Sequence, residues 1–147
     1  MTYEPKLAVE KVSTELFHSK LSFSTSTQLG DYLNIDTPEF NDVTGLIKTS
    51  NSISLGGGYY SIQCTVGVGN SSTIVNNMSY QIEVDSSLKG NVGASTKDNK
   101  CGVDTAVCTI DVPSGNSVTV KIKVVEQNQT TTVDSDYCSL LIKRVAL

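Results

Sequence analysis

Residues 59–68 read Tyr-Tyr-Ser-Ile-Gln-Cys-Thr-Val-Gly-Val. Tyr60, Ile62, Cys64, Val66 and Val68 fall at alternate positions, with Tyr59, Ser61, Gln63, Thr65 and Gly67 between them. Successive side chains of an extended strand point to opposite sides, so a period of two predicts a strand with one face in a core. The three glycines at 56–58 and Gly69–Ser72 bracket it and supply the turns a strand needs at its ends.

The same alternation recurs on both sides. Met78, Tyr80, Ile82 and Val84 share one face, as do Ala106, Cys108, Ile110 and Val112. Pro113-Ser-Gly-Asn116 is a turn signal, and Val118, Val120, Ile122 and Val124 resume the alternation after it. Residues 137–145 close the pattern, with Cys138, Leu140, Ile142 and Arg144 on one side and Tyr137, Ser139, Leu141, Lys143 and Val145 on the other. Leu21 with Phe23, Ile47, and Ile53–Leu55 predict shorter strands, and residues 28–45 are turn-rich. Residues 85–104 are polar with a short strand around Val92, and residues 126–135 are polar. Roughly eight to ten strands without a helix of ordinary length predict an all-β sandwich or barrel.

A chain of 147 residues holds one domain with its own core. Residues 1–19 have no clear period; Leu7, Val9, Val12, Leu16 and Phe17 mark an N-terminal arm ahead of a domain at 20–147. The net charge is −4 and no Lys/Arg run occurs, which argues against nucleic-acid or anionic-membrane partners. No apolar h-region follows Met1 and no stretch has transmembrane length, so the expectation is a chain used in a cytosol, one assembled there into something larger, or a mature form cut from a longer precursor. Cys64, Cys101, Cys108 and Cys138 match no zinc spacing. Three of them lie in apolar strand patterns, while Cys101 and Cys108 flank a loop and would pair only in an oxidising setting.

Three segments, in order, resemble the tumour-necrosis-factor and complement globular-head superfamily. GGGYYSIQCTVGVG (56–69) resembles its G-x-Y-x-aliphatic strand. TAVCTIDVPSGNSVTVKIKV (105–124) resembles its strand, tight glycine turn and V-x-V strand, and YCSLLIKRV (137–145) its closing strand. Leu140 and Leu141 stand where that family has a bulky aromatic, and there is no collagen-like stalk. These departures point to a viral or bacteriophage member. The resemblance implies a two-sheet jelly roll (TNF-like) that assembles as a trimer. It also implies that the first, closing, G-x-Y and TAVC strands share the sheet facing the threefold axis. Carried onto this chain, Tyr59, Gln63, Tyr137 and Leu141 are the candidate trimer-interface residues.

Groups for catalysis are scarce. His18 is the single histidine, no G-x-S-x-G elbow exists, and the Asp residues sit in turns. One histidine also excludes the usual metal cluster of a cupin. Asp98, Asn99 and Asp104 form an acidic cluster without EF-hand spacing, and the glycines at 56–58 precede a strand with no G-K-[ST]. Asn70, Asn77 and Asn128 lie in N-x-[ST] sequons. No enzyme activity, cofactor or metal is expected. The expectation is a homotrimeric virion structural protein, a capsid decoration (cement) or head-fibre protein of a bacteriophage shell, partnered by the major capsid protein. The alternative is a receptor- or carbohydrate-binding head using loops at 69–77, 85–104 and 126–135.

Overall fold

The computed structural model describes residues 14–22, 30–68, 76–97, 101–103, 105–127 and 133–145. These contain thirteen strands: β1 (Thr14–Ser19), β2 (Leu21–Ser22), β3 (Asn34–Ile35), β4 (Phe40–Asn41), β5 (Ile47–Lys48), β6 (Ile53–Leu55), β7 (Gly58–Val68), β8 (Asn76–Val84), β9 (Ser87–Lys97), β10 (Cys101–Val103), β11 (Ala106–Val112), β12 (Val118–Gln127) and β13 (Val133–Val145). One sheet has the order β11-β7-β13-β1-β4, the other β10-β9-β8-β12-β6-β5, and β2 pairs with β3 alone. From β6 onward the chain passes back and forth between the two large sheets, so most neighbours within a sheet are distant in sequence. This antiparallel crossing is a jelly-roll sandwich.

The apolar positions of the alternation face each other between the sheets. Tyr60, Ile62, Cys64 and Val66 of β7 meet Met78, Tyr80, Ile82 and Val84 of β8, with Val120, Ile122 and Val124 of β12 and Leu140 and Ile142 of β13, all buried. Burying each large aliphatic side chain contributes about 1.5–3 kcal/mol. Two tyrosine hydroxyls enter this layer and are satisfied: Tyr60 donates to Gly56 O at 2.9 Å, and Tyr80 accepts from Val66 N at 3.1 Å. The turn at 113–116 forms as expected, with Asn116 N donating to Pro113 O at 3.0 Å and Gly115 at a φ of 84°.

Two parts of the molecule differ from the sequence reading. Thr14–Ser19, read as arm, forms β1 and pairs along its length with β13, with Phe17 wholly buried. Residues 1–13 lie outside the described residues. The polar stretch 85–104, read as loop with a short strand around Val92, holds the eleven-residue β9, which contains Val92, and the short β10. The alternation fails there because the core position on β9 is a glycine: a Cβ on Gly93 would stand 2.4 Å from the Tyr80 ring. The aromatic face fills the space an aliphatic side chain would have marked.

Candidate interaction face

The outward face of the β11-β7-β13-β1-β4 sheet gathers the residues that alternation left out of the core. Cross-strand register sets them in rows. Val107, Gln63, Leu141, His18 and Phe40 form one row across all five strands. Thr109, Ser61, Lys143 and Leu16 form the next, and Asp111, Tyr59, Val145 and Thr14 the last, at the base of the sheet. Phe40 is 51% and Tyr59 41% exposed, while Val107, Leu141, Leu16 and Val145 are half-buried. An apolar stripe on the second face of a sheet is what a protein partner buries.

Three of the four candidate residues therefore share this face: Tyr59 and Gln63 from β7 and Leu141 from β13. Tyr137 lies in the β13 backbone, and its side chain is outside the described set. His18 and Phe40 join the stripe although neither was legible as a member. His18 fell in the stretch read as arm, and Phe40 in the turn-rich 28–45 segment. Backbone bonds from Glu39 N to His18 O at 2.9 Å and from Asp42 N to Leu16 O at 3.0 Å dock β4 beside β1.

The charged side chains within the rows are Lys143 and Asp111, both exposed, and others gather at the β4 side. His18 Nδ1 lies 3.2 Å from Glu39 Oε2, and Lys20 Nζ 4.0 Å from Glu39 Oε1, both at the exposed β4 side. At the base, behind the last row, Arg144 Nη1 donates to Glu15 Oε2 at 2.8 Å and Nη2 to Gly57 O at 3.0 Å. The other Glu15 oxygen accepts from Thr44 N at 3.2 Å and from the Thr44 hydroxyl. Thr44 first, and Arg144 second, hold the Glu15 carboxyl below its usual range. The hydrogen bond from Arg144 thus ties β13 to β1 and to the glycine turn ahead of β7.

Among the described residues, the thiols offer no nucleophile at this face. Cys64, Cys108 and Cys138 are all buried. Burial pushes the Cys64 thiol well above its usual value and Cys108 up to about 11, which keeps both protonated at neutral pH. Cys138 Sγ accepts from Gly67 N at 3.3 Å and donates to Gly67 O at 3.7 Å. The Cys101 side chain and the Asp98–Asn99–Asp104 cluster lie outside the described residues. Among the described residues, no three His, Cys, Asp or Glu side chains come together to hold a metal.

Of the three loops considered for recognition, only the turn at 85–86 and residues 69–75, 98–100, 104 and 128–132 are outside the described strands; residues 76–77, 87–97, 101–103, 126–127 and 133–135 are strand. The strand ends bordering those loops gather at one end of the sandwich, because Val68 pairs with Val133, Asn76 with Lys97, and Lys97 with Cys101.

No family model matches the sequence, and no curated protein matches it. Solved structures match it through nearly its whole length. Murine APRIL at pH 5.0 superposes with a TM-score of 0.55 over 90% of this chain and 100% of that one, at 12% identity. The globular domain of zebrafish complement 1qA protein gives 0.58 over 92% and 98%, at 8% identity. The fold is a TNF-like jelly roll. The jelly roll was legible in three strand motifs, whereas identities this low make the shared property the architecture alone. As the resemblance implies, the G-x-Y strand β7, the TAVC strand β11 and the closing strand β13 lie in one sheet; the strand beside β13 is β1, from the stretch read as arm, whereas Leu21–Ser22, read as the first strand, pairs with β3 alone.

Proposed function

We propose that this chain is a non-enzymatic head module that assembles as a homotrimer through the outward face of the β11-β7-β13-β1-β4 sheet. The observation that carries this reading is the row Val107–Gln63–Leu141–His18–Phe40, with Tyr59 and Val145 below it. A closed threefold buries the same stripe on every copy and leaves no copy with an open face. The stripe is mixed apolar and polar, as a specific interface taken whole is, and Gln63 and His18 would supply its hydrogen bonds. The candidate contacts remain Tyr59, Gln63, Tyr137 and Leu141, with Phe40 added from the fold.

Sedimentation equilibrium tests the assembly. The expected result is a mass of three chains at micromolar concentration, and a monomer for Leu141→Lys with an unchanged β-type circular dichroism spectrum. Leu141 is half-buried, outside the core, so the substitution leaves the sandwich intact. A wild-type monomer would overturn the reading.

The setting we propose for such a trimer is the surface of a virion, as a decoration (cement) or head-fibre protein seated on the capsid of a bacteriophage. A threefold head presents one docking patch three times, which suits a shell with threefold positions. Shells lacking the protein should take up purified trimer and resist heat better with it. The alternative setting is a receptor- or carbohydrate-binding head. Glycan arrays that light up reproducibly, with shells that take up nothing, would select it.

A further inference from the structure

Below the last row of the first sheet lies a cavity of about 350 Å³, lined by Tyr59, Asp111, Val112, Pro113, Ser114 and Val145 with the glycine turn and Arg144 behind. Its walls are mostly apolar, and nothing in the trimer reading fills it. The chain enters the sheet at its rim, since Thr14 pairs with Val145, Val145 with Tyr59, and Tyr59 with Asp111. Ahead of Thr14 come 13 residues that carry Leu7, Val9 and Val12 with Lys6 and Lys11.

We propose that this N-terminal segment folds back across the base of its own jelly roll and seats one or more of Leu7, Val9 and Val12 in the cavity. Position, reach and charge converge on it. Thr14 stands two strands from Tyr59, about 10 Å at the usual strand spacing. Thirteen residues reach up to roughly 43 Å when extended, so a reversal leaves ample length. The tether holds the segment at high effective concentration beside the cavity, which favours its own chain over another molecule. Asp111, exposed on the rim, offers a carboxylate to Lys6 or Lys11.

The test uses the full chain, labelled with ¹⁵N. In the variant Leu7→Ser, Val9→Ser and Val12→Ser, the amides of Tyr59, Asp111, Ser114 and Val145 should shift while the sheet interior stays in place. Ser114→Trp, at an exposed turn position, should fill the cavity from the other side. It should move the amides of residues 7–12 to their positions in the free peptide 1–13. If the triple variant leaves the four base amides unmoved, or the tryptophan leaves residues 7–12 unchanged, the proposal fails. Labelled triple variant mixed with unlabelled wild type covers the remaining occupant. Shifts that return on mixing would mean a neighbour supplies the segment, which overturns the own-chain assignment. The readout is independent of the trimer, because a monomeric wild type that shows these shifts still supports the segment.

Discussion

Glu83 is a carboxylate buried on the far side of the molecule, on the outward face of the second sheet, and its partners decide what it costs. Tyr32 donates to it, 3.0 Å from each oxygen, and Lys123 Nζ lies 3.9 Å away. Lys121 caps the same tyrosine, its ammonium 4.6 Å from the ring centre. Bonds to a charged, buried group are among the stronger ones, so Tyr32→Phe should lower stability by about 1–3 kcal/mol in urea titration. A smaller loss would mean that water replaces the hydroxyl. Glu15 makes a pH prediction. Its folded-state pKa is depressed, so the stability it contributes is present above the ordinary carboxylate range and is lost as the pH falls through the folded value. Urea midpoints should fall on acidification, and Glu15→Gln should be less stable at neutral pH yet show a flatter acid limb. Neither network was legible in the sequence. Tyr32 sits in a turn-rich segment and Glu15 in a stretch without period, and their partners are 51 and 129 residues away. Charge pairing carries no periodic signal.

At the scale of elements, the alternating strands were legible over most of their length, the short strands at Ile47 and Ile53–Leu55 were legible from their apolar residues, and β9 was legible only around Val92. β7, β8, β12 and β13 carry apolar side chains at every second position, because both neighbours and the opposite sheet press on that face, and β11, at the sheet edge, does so against β7 and the opposite sheet. β9 lacks the pattern because Gly93 lies beneath the Tyr80 ring, and its turn lacks the glycine that usually marks a two-residue hairpin. Asp85 and Ser86 instead sit at φ values of 48° and 67°, between the paired residues Val84 and Ser87. Asp85 is useful there, since its Oδ1 accepts from Thr119 N at 2.8 Å and locks the turn to β12. Ser86 has no such bond to offset the left-handed backbone. Ser86→Gly should therefore raise stability by about 0.5–1 kcal/mol, read as a higher melting temperature. An unchanged or lower value would show that the serine side chain makes up for the backbone cost. Of the outward stripe, Tyr59, Gln63 and Leu141 were legible as the off-core face of strong strands. His18 and Phe40 became visible only once β1 and β4 were placed.

For the whole molecule, the division between the two faces of the first sheet organises everything else. One face meets the second sheet in the core; the other carries the stripe proposed to meet two further copies. The Leu141→Lys monomer belongs to this scale, since it separates assembly from folding. The described part of the sandwich also has a polarity. The strand ends bordering the loops at 69–75, 98–100 and 128–132 meet at one end, and Thr14 and Val145 meet at the other. The central position of β13 has a consequence for how the molecule comes into being. This strand lies between β7 and β1, joining residues 145 and 14. Pairings so remote in sequence form slowly, and none can form here before residues 133–145 have left the ribosome. Until then β1 and β7 are two open edges, each able to capture a strand from another nascent chain. The sheet that ends as the proposed meeting place of three copies is thus also the part of the chain most exposed to wrong partners during synthesis.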